Sequence, residues 1–277
     1  MATSFARCTA CPHNLVPVTS TPIEYLAKGT HRTVTREWVP EAPVALEFNG
    51  LSYAVMMATP AELEDFATGF ALAEGLAHSA ADISDIAIAE VEQGWIVRAV
   101  LAGLGIEQLT ARVRSRVAES SCGLCGIENL AEVARALPPV GTHDAIEPAA
   151  IFAALAALRD QQPLALLTGA SHAAAFVSPQ GAIGCLREDV GRHNAMDKLV
   201  GAMARAGRVL TPGFVLSTAR CSFEIVEKAV RSGATTLATV SLPTSLAVER
   251  ATAAGLSLWV LARDDSVIAV NDASSRT

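Results

Sequence analysis

The second half of the sequence alternates short apolar segments with helical segments that stop at glycine. Residues 214–217, 236–240 and 256–261 are predicted strands, and the helices between them are predicted to end at Gly233 and Gly255. Alternating strands and helices require right-handed crossovers, which make a sheet largely parallel and cover both of its faces with helices. The pattern therefore predicts an α/β fold.

Before these elements, the sequence predicts an Ala-rich helix at residues 148–159 and strands at 164–167 and 173–177. The preceding run Leu137-Pro138-Pro139-Val140-Gly141 breaks any helix and predicts a linker between two halves. The predicted units are an irregular arm (1–40), a smaller α+β domain (41–140) and an α/β domain (141–277).

The arm is predicted to be irregular because prolines interrupt each of its apolar runs. These prolines are Pro12, Pro17, Pro22 and Pro40. Regular structure begins at Val44, where alternating apolar residues flank Asn49-Gly50 and predict a type I′ hairpin. A second hairpin is predicted around Gln93-Gly94.

Between the hairpins, Thr59-Pro60-Ala61-Glu62 is the pattern of a capping box with proline at the first helical position. It predicts a helix that ends at Gly75. A polar helix is predicted at residues 106–118, with Arg112, Arg114 and Arg116 on it. These arginines are interpreted as a solvated face, with guidance of an acidic partner as the alternative.

Charge and hydropathy exclude several classes of function. The 277 residues include 21 Lys and Arg against 28 Asp and Glu, and 51% are hydrophobic. The acidic balance argues against nucleic acid as a partner, because phosphate backbones require a basic face. No apolar run approaches the ~20 residues of a membrane helix, and residues 1–14 lack the apolar region of a secretory signal. A cytoplasmic protein without a membrane partner is expected.

Four of the six cysteines form two C-x-x-C pairs, Cys8/Cys11 and Cys122/Cys125. In a reducing cytosol such pairs indicate metal or thiol chemistry more than structural disulfides. Glycine follows both Cys122 and Cys125, and a helix is predicted to begin near residue 127. Exposure and the helix N-terminus both favour thiolate, which suits a persulfide relay between two thiols.

The alternative for these cysteines is a four-thiolate zinc site that joins both pairs. The pairs are more than a hundred positions apart, which is unlike compact zinc ribbons, so no resident metal is expected. The zinc deaminase signature is absent, because none of the six histidines is followed by Glu at the second position. A thioredoxin-like domain fits less well, because this C-x-x-C lies between two predicted helices.

A second constellation, residues 189–198, reads Asp-Val-Gly-Arg-His-Asn-Ala-Met-Asp-Lys and opens a predicted helix. Asn194 is predicted to cap this helix, with Arg192 and His193 just before it, where free N–H groups favour a phosphate. The alternative is a solvated ion-pair network of Asp189, Arg192 and Asp197.

Three further loops follow predicted strands and carry polar side chains: residues 168–172, with His172; residues 217–220, with Arg220; and residues 263–266, with Arg263. In open α/β sheets, loops beyond the carboxyl ends of strands converge on one crevice. The sequence therefore predicts a site for a phosphate-bearing ligand. Alone, His172 would more often be a structural histidine.

Residues 120–126 (Ser-Ser-Cys-Gly-Leu-Cys-Gly), the ten-residue segment at 189–198 and residues 241–248 (Ser-Leu-Pro-Thr-Ser-Leu-Ala-Val) occur in this order along the chain. Together they resemble the formate dehydrogenase accessory sulfurtransferase family, FdhD. The resemblance runs from about Val44 to about Val270, and includes residues 57–63.

The resemblance implies a sulfurtransferase that accepts sulfur as a persulfide from a cysteine desulfurase. The sulfur passes to the molybdenum or tungsten bis-guanine-dinucleotide cofactor, a bound substrate, before its insertion into formate dehydrogenase. The family's persulfide cysteine falls on Cys122 and its companion on Cys125. Its cofactor-contacting turn falls on Leu261, Ala262, Arg263, Asp264, Asp265 and Ser266. No permanently bound cofactor is expected.

The resemblance also implies a homodimer with a three-layer core, similar to cytidine deaminases without their zinc, around a mixed, largely parallel sheet. For the cofactor phosphates, Arg192, Arg220 and Arg263 offer bidentate donors. Ala170 and Ala219 stand where the family commonly has glycine. A non-catalytic cofactor chaperone, with cysteines that are structural or bind zinc, is the competing hypothesis.

Overall fold

A computed structural model describes residues 18–105, 107–110 and 136–274. Both C-x-x-C pairs lie outside these ranges, as do most of the polar helix predicted at 106–118 and the helix predicted from residue 127. Residues 107–110 are helical.

The segment from 18 to 38 contains four short strands, where the sequence predicted irregular structure. They are β1 (Val18–Ser20), β2 (Ile23–Tyr25), β3 (His31–Thr33) and β4 (Arg36–Trp38). The antiparallel pairs β1–β4 and β2–β3 form two separate sheets. Pro22 and Pro40 lie between or beyond these strands, so they interrupt the apolar pattern without removing a ladder hydrogen bond.

A four-stranded sheet follows, made of β5 (Ala42–Phe48), β6 (Leu51–Ala58), β7 (Ile83–Val91) and β8 (Gly94–Leu101) in the order β6-β5-β8-β7. Both predicted hairpins are confirmed. Asn49 and Gly50 have φ angles of 50° and 80°, as a type I′ turn requires. The second hairpin closes at the pair Val91 and Gly94.

Helix α1 (Leu63–Ala73) covers one face of this sheet and ends before Gly75, whose φ is 65°. Its Phe66 and Phe70 pack with Phe48 and Tyr53 in a buried cluster. The helix is confirmed, but the capping box is not formed. The N-cap is Glu62 in the left-handed region, without a side-chain cap.

Within the described ranges, two short 3₁₀ turns lie at Ala80–Asp82 and Arg159–Gln161. The remaining elements, in chain order, are α2 (Pro148–Leu158), α3 (Pro163–Thr168), β9 (His172–Val177), β10 (Ile183–Asp189), α4 (Arg192–Arg205), β11 (Phe214–Ser217), α5 (Phe223–Arg231), β12 (Thr236–Thr239), α6 (Ser245–Ala254), β13 (Ser257–Val260) and β14 (Ile268–Asn271).

These elements form a three-layer α/β domain. The sheet order is β10-β9-β11-β12-β13-β14. Helix α2 packs on one face, whereas α4, α5 and α6 pack on the other. The mixed sheet and its helical layers confirm the predicted fold class. Within this sheet only the pairs β11–β12 and β12–β13 are parallel, and the other three pairs are antiparallel. The sheet is therefore mixed, but the prediction that it is largely parallel is wrong, because β9, β10 and β14 join through antiparallel pairs.

The strand predicted at 164–167 is wrong, because these residues belong to α3. Pro163 occupies a first-turn position, and the backbone N–H groups of Leu164 and Ala165 each donate to the Glu188 carboxylate at 2.9 Å. A carboxylate from a distant strand thus serves as the helix cap, which a local pattern does not reveal. The sequence also missed β10 and β14.

Helices α1 and α4 join the two sheets at a close crossing. A Cβ on Gly69 would lie 1.7 Å from the Asp197 carbonyl oxygen, and one on Gly201 would lie 1.8 Å from that of Asp65. Asp65 also accepts from Arg187, at 2.9 Å, in a buried ion pair. The crossing therefore requires glycine on both helices.

Among the helices in the described ranges, none combines the length and apolarity needed to cross a membrane.

We expect Gly201→Ala to lower the free energy of unfolding by about 2 kcal/mol or more, because the backbones of α1 and α4 must separate to admit the methyl group. Chemical denaturation would measure it. Gly141→Ala is the matched control, since its Cβ meets nothing within 4 Å, and it should change stability by about 0.5 kcal/mol or less. Equal stabilities of the two variants would contradict the close crossing.

Candidate functional site

One edge of the six-stranded sheet gathers the loops that the sequence singled out. The parallel strands β11, β12 and β13 end there. Because β9 runs antiparallel to β11 and to β10, it begins at the same edge where β10 ends, and His172 pairs with Asp189. The loops that carry Arg192, Arg220 and Arg263 therefore open on one side of the sheet. We call this region the crevice.

Helices α4, α5 and α6 all begin at the crevice, since each follows a strand that ends there. Thr244 caps α6 with its side chain, which accepts from the Ala247 N–H. The N-caps of α4 and α5, Gly191 and Ser222, make no side-chain cap hydrogen bond. Their first N–H groups and positive dipole ends remain available to an anion.

Four of the predicted residues form one electrostatic group. The pKa of His172 is lowered, first by burial and then by the cations of Arg192 and Arg220. The pKa of His193 is lowered to about 4, first by burial and then by Arg192 and Lys228, while Glu224 opposes the shift. Both imidazoles are therefore mainly neutral at pH 7, within a positive environment.

Three buried polar atoms at the crevice have no hydrogen-bond partner in the described structure: Arg192 Nε, His193 Nε2 and Ser222 Oγ. Native proteins rarely leave such groups unpaired, because each costs about 1–3 kcal/mol. Arg192 Nε is always a donor, and a serine hydroxyl can donate. Together they suit a ligand rich in acceptor oxygens, such as a phosphate.

Within residues 189–198, Asp189 and its partners stabilise the turn before α4, whereas Arg192 and His193 lie outside that network. Asp189 is fully buried, and its carboxylate accepts from Thr59 N, Gly191 N, Asn194 Nδ2 and Lys198 Nζ at 3.0, 2.7, 2.9 and 2.7 Å. This network fixes the turn from β10 into α4. Arg192 and His193 occupy the first turn of α4 and take no part in the network.

Two predictions for this segment need correction. Asn194 does not cap α4, because the N-cap is Gly191, and the Asn194 amide donates instead to Asp189 and to the Met57 carbonyl. The solvated ion-pair alternative is also wrong. Asp189 pairs with the buried Lys198, and Asp197 pairs with Lys228 at 2.7 Å.

The loop after β11 is tied to the start of β9. Thr218 Oγ1 accepts from the Ala173 N–H at 2.8 Å, and the Thr218 N–H donates to the Ala173 carbonyl at 3.0 Å. These bonds keep the exposed Arg220 close to His172. Ala219, between them, is buried and is not among the residues with positive φ.

The turn after β13 presents polar side chains to solvent at the same edge. The Leu261 N–H donates to the Ser241 carbonyl, and the buried Ala262 donates to that of Thr239. The Arg263 N–H donates to the Ser266 carbonyl at 2.8 Å, which closes the turn. The side chains of Arg263, Asp264, Asp265 and Ser266 are exposed. In the described structure they make no bond to the four coupled residues.

The two cysteines inside the described ranges are unsuited to sulfur chemistry. Cys185 and Cys221 are both buried, and burial raises the pKa of the Cys221 thiol to about 11. Within the described ranges, no three His, Cys, Asp or Glu side chains are grouped so as to hold a metal ion. Cys122 and Cys125, as well as the four-thiolate alternative, lie outside those ranges.

Sequence reasoning missed Ser222 and Lys228. Ser222 stands between a predicted strand and an apolar helix, where Ser is a common N-cap, so the local pattern could have indicated it. Lys228 is one turn inside α5, and its closeness to His193 and Asp197 depends on helix packing.

Comparisons with known proteins agree on one family. The model of the FdhD/NarQ family matches residues 39–275. A protein named sulfur carrier protein FdhD from Variovorax paradoxus strain S110 is 45% identical over 234 residues, which cover 84% of each chain. A protein of the same name from Cupriavidus necator is 46% identical over 222 residues, or 80% of this chain and 77% of that protein.

A solved structure supports the fold. The crystal structure of a candidate formate dehydrogenase accessory protein from Desulfotalea psychrophila superposes with a TM-score of 0.73. The match covers 92% of this chain and 97% of that chain, at 21% identity. At that identity the likeness concerns the fold alone.

We expect His193→Gln to flatten the acid dependence of stability. The unfolded chain protonates His193 near pH 6.5, whereas the folded protein resists protonation down to about pH 4. Because the unfolded state binds more protons, the free energy of unfolding falls as pH falls through this window. The variant should lose about 2 kcal/mol less than wild type between pH 7 and 4.5.

Urea denaturation at a series of pH values would measure this effect. His31→Gln is the matched control, because His31 is exposed on β3, and it should follow the wild-type profile. Identical profiles for wild type and His193→Gln would show that the His193 imidazole is not held neutral by the fold.

Proposed function

The chain belongs to the FdhD/NarQ family, and from this premise we propose that it is a sulfur carrier that serves a formate dehydrogenase in the cytoplasm. Two relatives with 45% and 46% identity bear the name sulfur carrier protein FdhD. The observation in this structure that supports the proposal most directly is the crevice, where unpaired donors and uncapped helix N-termini face a common edge.

The sulfur is carried on Cys122 as a persulfide. The Cys122 thiolate attacks the terminal sulfur of a cysteine persulfide on a desulfurase, the S–S bond breaks, and the desulfurase cysteine leaves as a thiolate. For delivery, the Cys125 thiolate attacks Cys122 Sγ and expels hydrosulfide. The products are a Cys122–Cys125 disulfide and sulfur already reduced by two electrons. Two equivalents of a cellular thiol then reduce the disulfide to both cysteines and leave as a disulfide of their own.

The crevice holds the acceptor, the molybdenum or tungsten bis-guanine-dinucleotide cofactor, as a substrate. Arg192 and the N-terminus of α4 bind a phosphate of the dinucleotide. His193 and Ser222 offer the neighbouring hydrogen bonds, and Arg220 adds charge at the rim. The turn at 261–266 contributes its exposed side chains, including Arg263, because the N–H groups of residues 261–263 already donate to carbonyls within the protein.

During sulfur transfer this protein must contact a desulfurase, the cofactor and formate dehydrogenase in turn. The desulfurase must reach Cys122, the cofactor must lie within reach of the same loop, and formate dehydrogenase must receive the product. The carrier acts as a homodimer.

The persulfide is tested by incubating the protein with a cysteine desulfurase and cysteine. Intact mass should rise by one sulfur atom, and peptide mapping should place it on Cys122. Cys122→Ala should abolish this labelling, because the accepting thiolate is gone, whereas Cys8→Ala is the matched control and should retain it. Labelling that persists in Cys122→Ala would overturn the assignment.

A related measurement separates the carrier from a cofactor chaperone. The double variant Cys122→Ser/Cys125→Ser should leave formate dehydrogenase inactive in cells, because no sulfur is delivered. Normal activity in that strain, together with stoichiometric zinc in the purified protein, would instead establish a chaperone whose cysteines are structural.

The crevice is tested by titration with guanosine diphosphate, followed by calorimetry. Arg192→Gln should weaken binding about tenfold or more, because it removes a charge-assisted hydrogen bond to phosphate. Arg98→Gln is the control, since Arg98 is exposed on β8 of the four-stranded sheet, where it pairs with Glu47, and it should bind as wild type. Unchanged affinity in Arg192→Gln would contradict the phosphate site.

A further inference from the structure

A cavity of about 510 Å³ lies at the other end of α4 from the crevice. It is lined by the last turns of α1, α4 and α5, by the Ala77–Ala80 segment and by Pro138. Since α4 has 14 residues, the two ends are ~20 Å apart at 1.5 Å per residue. The cavity also lies at the junction of the two sheets, where ligand sites are common, and its volume is in the range of small-molecule sites.

Most of the cavity wall is apolar. Leu72 comes from α1, and Val200 and Met203 come from α4. Leu210 lies in the loop after α4, and Pro138 lies in the segment before α2. These residues offer a surface for an apolar ligand body of modest size.

Two polar residues of the wall, Arg231 and Ser232, are adjacent at the end of α5. Ser232 Oγ is buried and has no hydrogen-bond partner in the described structure. Arg231, beside it, makes no ion pair within 4 Å to a described residue. Among the described residues that line the cavity there is no Asp or Glu. Arg208 also lines it, but its guanidinium lies over the Phe176 ring and donates to the Gly184 carbonyl. A ligand head that approaches Ser232 therefore meets positive charge and a free hydroxyl.

Helix dipoles oppose an anion at this place, because three C-termini converge on the cavity. Each end carries about half a negative charge when its carbonyls are free. Here, however, backbone N–H groups cap the ends: Gly75 donates to Leu72, Gly207 to Ala204 and Gly233 to Val230. The caps satisfy terminal carbonyls, so Arg231 is not needed for that purpose and its charge can serve a ligand.

We propose that this cavity binds a small organic anion that has an apolar body and a single acidic head. The body fills the space between α1 and α4, and the head accepts from Arg231 and Ser232 Oγ. The site is separate from the crevice, and it takes a ligand without phosphates or a nucleobase.

The test compares two fluorescent probes of similar shape. The sulfonate 8-anilinonaphthalene-1-sulfonate has an apolar body and a permanent negative charge, and N-phenyl-1-naphthylamine lacks the charge. We expect the sulfonate to bind with one-to-one stoichiometry. Arg231→Gln should weaken it about tenfold and leave the neutral probe within about twofold. Arg159→Gln, on the opposite face of the sheet, is the matched control and should change neither.

Two variants that place opposite charges at the exposed rim give a second test, in which the protein is expected to remain folded. Val209 lines the cavity and is 68% exposed, so Val209→Glu should weaken the sulfonate and Val209→Lys should strengthen it, without effect on the neutral probe. Ala204→Trp should exclude both probes by filling the cavity, with folding checked by denaturation. Sulfonate binding that is the same in Val209→Glu, Val209→Lys and Ala204→Trp would place the probe elsewhere and overturn the proposal.

Discussion

The buried Asp189 carboxylate is the interaction on which the rest of the site depends. It accepts four hydrogen bonds. One comes from the fully buried Lys198 ammonium at 2.7 Å, and another comes from the N–H of Thr59, which directly follows β6 of the other sheet. Loss of either charge would leave the other buried without its partner, which costs about 3–5 kcal/mol. The same carboxylate therefore links the two sheets and sets the start of α4.

The hydrogen bonds of Asp189 stabilise the turn before α4, and this offsets the cost of leaving Arg192 and His193 without hydrogen-bond partners. Arg192 Nε and His193 Nε2 are buried without hydrogen-bond partners in the described structure. One turn away, the Asp189 carboxylate accepts from the Gly191 N–H and the Asn194 amide. A neutral His193 among cations lowers stability in acid. The rigid backbone around Asp189 and the glycine packing between α1 and α4 stabilise the fold and so offset the cost of these unpaired groups.

Local sequence patterns correctly predicted the elements that depend only on neighbouring residues. The predictions failed where the carboxylate of Glu188 or Asp189, distant in sequence, makes the deciding hydrogen bonds. The Asn49-Gly50 hairpin needs only two positive φ angles. By contrast, Thr59 does not cap α1 as expected. Its N–H donates to Asp189, and its hydroxyl accepts from the Val190 N–H. The Asn194 amide likewise donates to Asp189 instead of capping α4. Residues 164–167 become helical because Glu188 caps them. Since the strand that carries both carboxylates was missed, its effects could not be predicted.

The candidate site was predictable to the extent that topology determines it. Strand ends in an alternating α/β pattern must meet at one edge, and this placed His172, Arg192, Arg220 and Arg263 together in advance. Topology does not determine which helix termini lack side-chain caps, nor which side chains from α5 reach α4. Lys228 lies near His193 only because α4 and α5 pack on the same face of the sheet. The neutral state of His193 follows from that packing, since burial and the two cations Arg192 and Lys228 outweigh the single opposing carboxylate of Glu224.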